Sequence, residues 1–402
     1  MEPKQSAVGD VLDYFVSRLQ LPRTGAGPDG ESSWTVILTG STGSLGTRIL
    51  SELQALPKLR KIYCLNRSEE AEKAQITTLR KCGLPPPNER VTFIKASFES
   101  PRLGLGEQTW QQLASETTLI IHNAWPVNFL TALEGFKPHL EALRYLLILS
   151  YESRHRPPFL YVSSLGIAYS ADLGHIPEEI FRDFSGVNGG YPQSKYIAER
   201  MVEAYARSTG CPTAVLRVGQ VAGPVRSGGI WPHREWFPTL LRASSHIKAL
   251  PSTLGPHDAV DWIPVDILSR IIVEIAEHVK VRTLLKTRPD VDCPLVFNIA
   301  NPKTVSFGKL LPYLDKVTYK TVTCKEWVRL LQESVAENPQ IPGAKLLGFY
   351  EAAFTTRKAS IETVTCNMMT ASETARGLQA VNGSWMVRWL DDWCLLAPRE
   401  HL

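Results

Sequence analysis

Residues 35–46 read Thr-Val-Ile-Leu-Thr-Gly-Ser-Thr-Gly-Ser-Leu-Gly, and no other stretch constrains the fold as tightly. Val36, Ile37 and Leu38 make a short apolar run suited to a strand buried on both faces. Gly40, Gly43 and Gly46 follow at once, and residues 47–56 have the periodicity of an amphipathic helix. Each glycine then has its own physical role. One permits the tight turn, one lets backbone approach a phosphate, and one lets helix and strand pack closely. The helix N-terminus offers unpaired N–H groups and a positive dipole end to a pyrophosphate. The spacing is Gly-x-x-Gly-x-x-Gly, not the Gly-x-Gly-x-x-Gly of the general dinucleotide fingerprint, so the flanking strand and helix carry the reading. Thr39, Gly40, Thr42, Gly43, Ser44, Leu45 and Gly46 are the residues expected to hold a dinucleotide here.

At 402 residues the chain is long for one core, which predicts a main domain and a smaller partner. A formal net charge of +4 gives no reason to expect nucleic acid. The seven cysteines are scattered, with no Cys-x-x-Cys and no zinc-ligand spacing, so reduced thiols in a cytoplasmic, metal-free protein are expected. No apolar run approaches the ~18 residues of a membrane span, no signal-peptide core opens the chain, and no long repeat recurs. Residues 11–19 have helical spacing, and 22–33 read as a linker. The helix is either the tail of something upstream or a packed N-terminal arm.

Residues 61–65, 91–95, 118–122 and 159–162 read as further strands, with helices at 68–81 and 133–150 between them. Strands alternating with helices predict an α/β fold: a Rossmann-type doubly wound parallel sheet with a smaller, mostly helical C-terminal substrate domain. The expected divisions are 1–33 for the helix and linker and 34–223 for the NADP(H)-binding domain, with 256–300 returning to it. Residues 224–255 and 301–402 would form the substrate domain. The second strand ends at Asn66-Arg67, where an acid would select NAD and an arginine accommodates a 2′-phosphate. Arg67 therefore points to NADPH, with Lys58, Arg60 and Lys61 as added support; a solvated basic strand end is the competing explanation. The fourth strand ends at His122-Asn123-Ala124, where His122 reads as a satisfied strand-end histidine and Asn123 and Ala124 as lining the cofactor ribose.

Gly189-Gly190-Tyr191-Pro192-Gln193-Ser194-Lys195 opens another helix, with Pro192 suited to its first turn. Tyr191 and Lys195 are four apart and share one helix face. An ammonium beside a phenol favours the phenolate, so Tyr191 is expected to have a lowered pKa and to pass a proton to a carbonyl oxygen. Ser164, at the end of the strand before, would hold the same oxygen, with Ser163 as runner-up.

Together these residues resemble an extended short-chain dehydrogenase/reductase. The matching pieces are residues 39–46, His122-Asn123-Ala124, Ser163-Ser164, Tyr191 with Lys195, and Leu216-Arg217-Val218-Gly219-Gln220-Val221-Ala222-Gly223. Within that family, residues 122–129 (His-Asn-Ala-Trp-Pro-Val-Asn-Phe) and Asp261-Trp262-Ile263-Pro264-Val265-Asp266 resemble the terminal thioester reductase domains of fungal non-ribosomal peptide synthetase-like and carboxylate-reducing enzymes. The resemblance implies that an acyl thioester on a carrier-protein phosphopantetheine arm is reduced by NADPH and leaves as an aldehyde, or goes on to the alcohol. It implies catalytic Ser164, Tyr191 and Lys195, with Lys195 also on the nicotinamide ribose, and cofactor contacts from Val218, Gln220 and Val221. The family often has threonine where Ser164 stands; the hydroxyl is kept.

Residues 224–251 carry Arg226, Arg234, Arg242 and Lys248 against one acid, Glu235, with Trp231, Trp236 and Phe237 interleaved. Four cations are too few to prefer nucleic acid, and an acidic carrier protein is the partner the resemblance implies. A solvated helix over an apolar core explains the same pattern. Further on, helices are expected at 305–314 and 325–334, a capping box at Thr370 with Glu373, and a core stripe of Trp385, Trp389 and Trp393. These helices would cover a substrate cleft between the domains. Two other functions stay open: a stand-alone reductase of a small ketone, aldehyde or CoA thioester, and a dinucleotide-sensing protein without turnover.

Overall fold

Trp34–Thr39 (β1) is buried at every position, as its apolar run requires, and it is an interior strand of a seven-stranded parallel sheet. The computed structural model describes residues 3–23, 33–168, 174–284, 293–314, 320–355 and 361–395, so most of the expected linker lies outside the described residues. The other strands are β2 (Leu59–Asn66), β3 (Val91–Lys95), β4 (Leu119–His122), β5 (Phe159–Ser164), β6 (Thr213–Val218) and β7 (Leu295–Ile299). Their order is β7-β6-β5-β4-β1-β2-β3, a doubly wound sheet whose direction of winding switches between β1 and β4. Register sets Thr39 beside His122, His122 beside Tyr161, and Ser164 beside Val218, so the functional strand ends lie level.

The chain divides into two compact units. The first contains Met1–Gly219, Ile267–Ile299 and Thr363–Arg376, and the second contains Gln220–Asp266, Ala300–Glu362 and Gly377–Leu402. The first unit holds the whole sheet and the helices α1 (Pro3–Ser17), α2 (Ser44–Gln54), α3 (Ala71–Lys81), α4 (Glu107–Glu116), α5 (Lys137–Glu152) and α6 (Gly190–Thr209). Residues 256–266, expected to return with β7, fall in the second unit, whereas 363–376 fall in the first. Two elements had no clear sequence signal: α4, and β6 as a strand in its own right.

Helix α1 is a packed arm. Val8, Val11, Phe15 and Leu19 are buried, and Ser208 Oγ on α6 donates to the Leu19 carbonyl at 2.9 Å. The capping box expected at Thr370 does not form, because Thr370 Oγ1 donates back to the Cys366 carbonyl within its own helix. Ser372 is the capping residue instead, its Oγ accepting from the Ala375 N–H at 3.0 Å.

The second unit is built around aromatic rings. Trp231, Phe237, Trp262, Trp389 and Trp393 are buried, with Trp231 packed edge-on to Trp262 at 5.4 Å and to Trp389 at 5.1 Å. Trp389 and Trp393 come from the expected tryptophan stripe, and half-buried Trp385 packs against the same core. Helix α7 (Trp236–Ile247) lies over it, and α8 (Val265–Leu284) runs on into the first unit. The 305–314 stretch is a short strand, a 3₁₀ turn and a short helix (Leu311–Leu314), and Cys324–Glu337 is helical. No helix among the described residues is long and apolar enough to cross a membrane.

Behind the sheet ends sits a buried ion pair. Arg217 on β6 is fully buried and bonds Glu199 on α6 through Nη2 at 2.7 Å and Nε at 3.0 Å. Its remaining donors go to the Pro177 and Glu179 carbonyls, and Ser163 Oγ donates to Glu199 at 2.6 Å. Arg217→Met should lower unfolding stability by about 3–5 kcal/mol, since it strands a buried carboxylate. Adding Glu199→Gln should recover much of that loss in the same denaturant titration; if the double variant is worse than the single one, the stranded charge is not the cause.

Candidate active site

The glycine turn occupies the switch between β1 and β4. Gly40 has φ +70°, and a Cβ there would stand 2.9 Å from the Ala124 Cα. At Gly46 a Cβ would stand 2.0 Å from the Gly40 carbonyl oxygen. These two glycines are demanded by the protein's own packing. Gly43 is not: a Cβ there would meet only the Gly40 carbonyl oxygen, at an ordinary 3.4 Å. Gly43 is also the N-cap of α2, and no side chain caps that helix. An uncrowded approach to an uncapped helix N-terminus, formed by Thr42, Gly43, Ser44 and Leu45, fits a bound pyrophosphate.

Thr39, expected as a cofactor contact, is used elsewhere. It is fully buried, and its hydroxyl bonds His122 Nδ1 at 2.8 Å and accepts from the Asn123 and Ala124 N–H groups at 3.1 and 3.0 Å. It staples β1 to the end of β4. Asn123 Nδ2 adds a bond to the Gly40 carbonyl, so Asn123 and Ala124 shape the floor of the turn. Burial holds His122 down to about 3, so it is a neutral strand-end histidine at any ordinary pH.

Arg67 is exposed at the end of β2 and has no ion pair or hydrogen bond among the described residues. The support expected from Lys58, Arg60 and Lys61 is not there. These residues sit at the start of β2, a full strand length from Arg67, and Lys58 pairs with Glu277 at 2.7 Å while Lys61 lies over the Tyr63 ring. Arg67 is the cation that follows the end of β2, and Lys95, at the same end of β3, is paired with Glu69.

Ser164, Tyr191 and Lys195 do converge. Gly189, at φ +88°, leads into α6 and places Tyr191 in the first turn. The Ser164 side chain lies close enough to the Tyr191 phenol to act on its acidity, and its hydroxyl accepts from the Gly166 N–H at 3.1 Å. Ser163 is excluded from that position because its hydroxyl is spent on Glu199. Lys195 lies one helical turn behind Tyr191, buried, with Nζ donating to the Val162 carbonyl at 2.6 Å. The rings of Trp125 and Tyr161 lie 4.7 and 4.8 Å from that ammonium, against 5.9 Å for the Tyr191 ring.

This arrangement corrects the expected lowering of the Tyr191 pKa. Burial pushes the phenol up to about 12, and the nearby Ser164 side chain is what works against that rise. Lys195 faces the Val162 carbonyl and two nearer rings, and burial is the larger influence on the phenol. Burial also lowers Lys195 well below the usual lysine range, while the Glu199 carboxylate opposes the shift. Tyr191 is consequently a protonated donor at neutral pH, the form that can deliver a proton to a developing oxyanion.

Trp125 and Glu199 were not foreseen as parts of this site. Glu199 could have been, because Tyr191, Lys195 and Glu199 follow at four-residue intervals along one helix face. Val218 is at the end of β6, paired with Ser164. Gln220 and Val221 belong to the second unit, where the Gln220 amide donates to the Val221 carbonyl and accepts from Trp236 Nε1 at 2.7 Å. The cations Arg226, Arg234, Arg242 and Lys248 are exposed in the same unit.

Residues 38–272, more than half of the chain, match the NAD-binding family described as Male sterility protein. The chain belongs to that family. It is 30% identical over 95% of its length to a carboxylic acid reductase of Neurospora crassa, of which it covers 37%. It is 32% identical over 89% of its length to adenylate-forming reductase Nps9 of Serpula lacrymans, of which it covers 34%. The chain thus spans about a third of the length of these relatives. In fold it is similar to the terminal R domain of the myxalamid PKS-NRPS pathway, with a TM-score of 0.75, 24% identity, and 95% and 97% of the two chains covered.

Tyr191→Phe keeps the ring but removes the donor, so carbonyl reduction should slow by about 10²- to 10⁴-fold while dinucleotide affinity persists. Ser164→Ala should slow it by roughly 10²-fold or more. Ser163→Ala should instead register in thermal unfolding, because that hydroxyl bonds Glu199. Single-turnover kinetics on the three variants checks the assignment, and a larger rate loss at Ser163 than at Ser164 would reverse it.

Proposed function

We propose that this chain is an NADPH-dependent reductase that releases an acyl group from a carrier-protein phosphopantetheine thioester as an aldehyde. Whether the aldehyde is carried on to the alcohol depends on the acyl group and its release. The observation that carries the reading is the convergence of Tyr191, in the first turn of α6, and Ser164, at the end of β5, with Lys195 buried behind them. A protein that only sensed a dinucleotide would have no use for a protonated phenol and a hydroxyl aimed at one point. The relatives named as carboxylic acid and adenylate-forming reductases support a thioester rather than a small ketone as substrate.

Bound NADPH would lie on Gly40, Thr42, Gly43, Ser44 and Leu45, with Arg67 at its 2′-phosphate and Asn123, Ala124, Tyr191, Lys195 and Val218 toward the nicotinamide. Its reduced ring supplies a hydride equivalent to the thioester carbonyl carbon. Tyr191 Oη and Ser164 Oγ hold the carbonyl oxygen and oppose the charge that builds there. Tyr191 gives up its proton to that oxygen, leaving a hemithioacetal on the substrate. Collapse of the hemithioacetal breaks its C–S bond as the hydroxyl proton returns to the Tyr191 phenolate, and the departing pantetheine thiolate takes a proton from solvent. Lys195, its Nζ held by the Val162 carbonyl, would lie behind the phenol toward the nicotinamide ribose. Arg226, Arg234, Arg242 and Lys248 are the exposed cations that would meet an acidic carrier.

The deciding experiment supplies NADPH with an acyl-pantetheine, the same acyl group on a carrier protein, and a panel of small ketones and aldehydes, with products read by mass spectrometry. Thioester-dependent NADPH oxidation with aldehyde release is expected, and the carrier-bound form should have the lower KM, by a margin that shrinks as salt screens exposed charges. Turnover of small carbonyls alone would make this a stand-alone reductase, and binding without any turnover would make it a sensor.

Cofactor choice has its own test. A hydrogen bond to a charged group contributes about 1.5–3 kcal/mol, so Arg67→Ala should weaken NADPH binding by about ten- to a hundredfold. NADH affinity should barely change. Equal losses for both cofactors in a titration would remove Arg67 from the 2′-phosphate.

A further inference from the structure

We infer that the loop after β4 is an acyl-recognition rim, in which Val127, Phe129 and Leu130 receive an uncharged, apolar acyl chain or ring as its carbonyl reaches Tyr191. The inference rests on the thioester reductase reading and adds to it the class of acyl group.

Val127, Phe129 and Leu130 are 69%, 62% and 88% exposed, and they are three of only seven large hydrophobic residues exposed among those described. The other four are scattered along the chain, whereas these fall within four consecutive positions. Such a cluster in water marks a surface that something covers. Its place says what the cover is. The Phe129 ring meets the Tyr191 ring edge-on at 5.1 Å, and Phe136 approaches the same ring at 6.2 Å. A group lying on the open side of Phe129 is therefore within a ring's width of the phenol that protonates the carbonyl, where the acyl group must come.

The chemistry of the loop narrows the acyl class. From Asn123 to Leu133 there is no ionisable side chain. A carboxylate or ammonium carried by the acyl group would lose water here and gain no partner. An alkyl chain or an aromatic ring would gain apolar contact instead. The acidic carrier protein is a poor occupant for the same reason, since the loop has no cation to offer it.

The loop is also held still against the catalytic helix. A Cβ at Gly190 would stand 2.2 Å from the Thr131 carbonyl oxygen and 2.7 Å from the Leu133 nitrogen, so the loop's far end lies directly on the first turn of α6. At its near end, Trp125 Nε1 donates to Ser194 Oγ on the same helix at 3.1 Å. Between these anchors, the Asn128 Oδ1 bond from the Leu130 N–H shapes the turn that carries the apolar side chains. Distance from the rim to Tyr191 is thus set by the helix that bears Tyr191.

The test compares acetyl-, octanoyl-, benzoyl- and succinyl-pantetheine, in wild type and in the triple variant Val127→Ser, Phe129→Ser, Leu130→Ser. Binding to the NADP⁺-loaded protein is measured by calorimetry, and kcat/KM is measured with NADPH. Wild type should favour octanoyl and benzoyl over acetyl and succinyl by about tenfold or more, as each buried methylene contributes roughly fourfold. The triple variant should lose that ratio, which global damage to the enzyme would not alter. An unchanged octanoyl-to-acetyl ratio in the variant, or succinyl bound as tightly as octanoyl by wild type, overturns the rim. Because the binding ratio needs no turnover, a wild type that binds octanoyl selectively yet reduces no thioester would retain the rim and remove the reductase reading.

Discussion

The ion pair between Glu199 and Arg217 is the contact on which the rest of the site depends. It joins α6 to β6, and through Ser163 and the 177–179 carbonyls it also joins β5 and the loop ahead of α6. Desolvating two charges can outweigh their attraction, so such a pair gives little net stability unless every donor is satisfied. Here Arg217 has partners for Nε and both terminal nitrogens, which lets the pair act as a register pin. Glu199 lies on the helix face that also carries Tyr191 and Lys195, so fixing Glu199 fixes the rotation of that helix. A one-residue slip of α6 would turn all three groups away from the strand ends.

The same pin explains how a lysine can be buried beside a phenol without setting its acidity. Glu199 favours the charged form of Lys195, the Val162 carbonyl accepts a hydrogen bond from its Nζ, and the rings of Trp125 and Tyr161 offer their negative faces. The ammonium is thereby satisfied by groups other than Tyr191. The phenol keeps its proton until an oxyanion appears, so the driving force for transfer comes from the substrate's developing charge rather than from a phenolate prepared in advance. That division suits reduction, in which the donor must start protonated.

Local pattern made much of this legible. The glycine spacing between an apolar run and an amphipathic helix marked the dinucleotide turn, and four-residue spacing put Tyr191 and Lys195 on one face. What local pattern omits is burial and strand direction. The expected low pKa of Tyr191 treated the phenol and ammonium as neighbours in water, and burial reversed the sign. Lys58, Arg60 and Lys61 were grouped with Arg67 by closeness in sequence, yet a strand separates residues along its length and put them at its opposite end. Thr39 looked like a ligand contact because it adjoins Gly40, but a fully buried strand residue turns its hydroxyl to the neighbouring strand. Glu199 and Arg217 belong to different elements, and nothing in the spacing between them announces that they meet. Of the rim residues, Val127 and Phe129 read as members of a family motif and Leu130 had no reading of its own, and only their exposure beside Tyr191 distinguishes them from core.

The jammed backbone around the glycine turn has a thermodynamic consequence. Gly40 rests against Ala124, Gly46 against Gly40, and Thr39 holds the Asn123 and Ala124 amides in place. A turn so confined has few conformations to give up when a ligand arrives, and ordering losses are a large component of what weakens association. The heat-capacity change on dinucleotide binding would then report the surface the ligand covers, without the added contribution of chain that folds upon it. Affinity at this turn is in that sense stored during folding, and it shares its temperature dependence with the sheet that supports it.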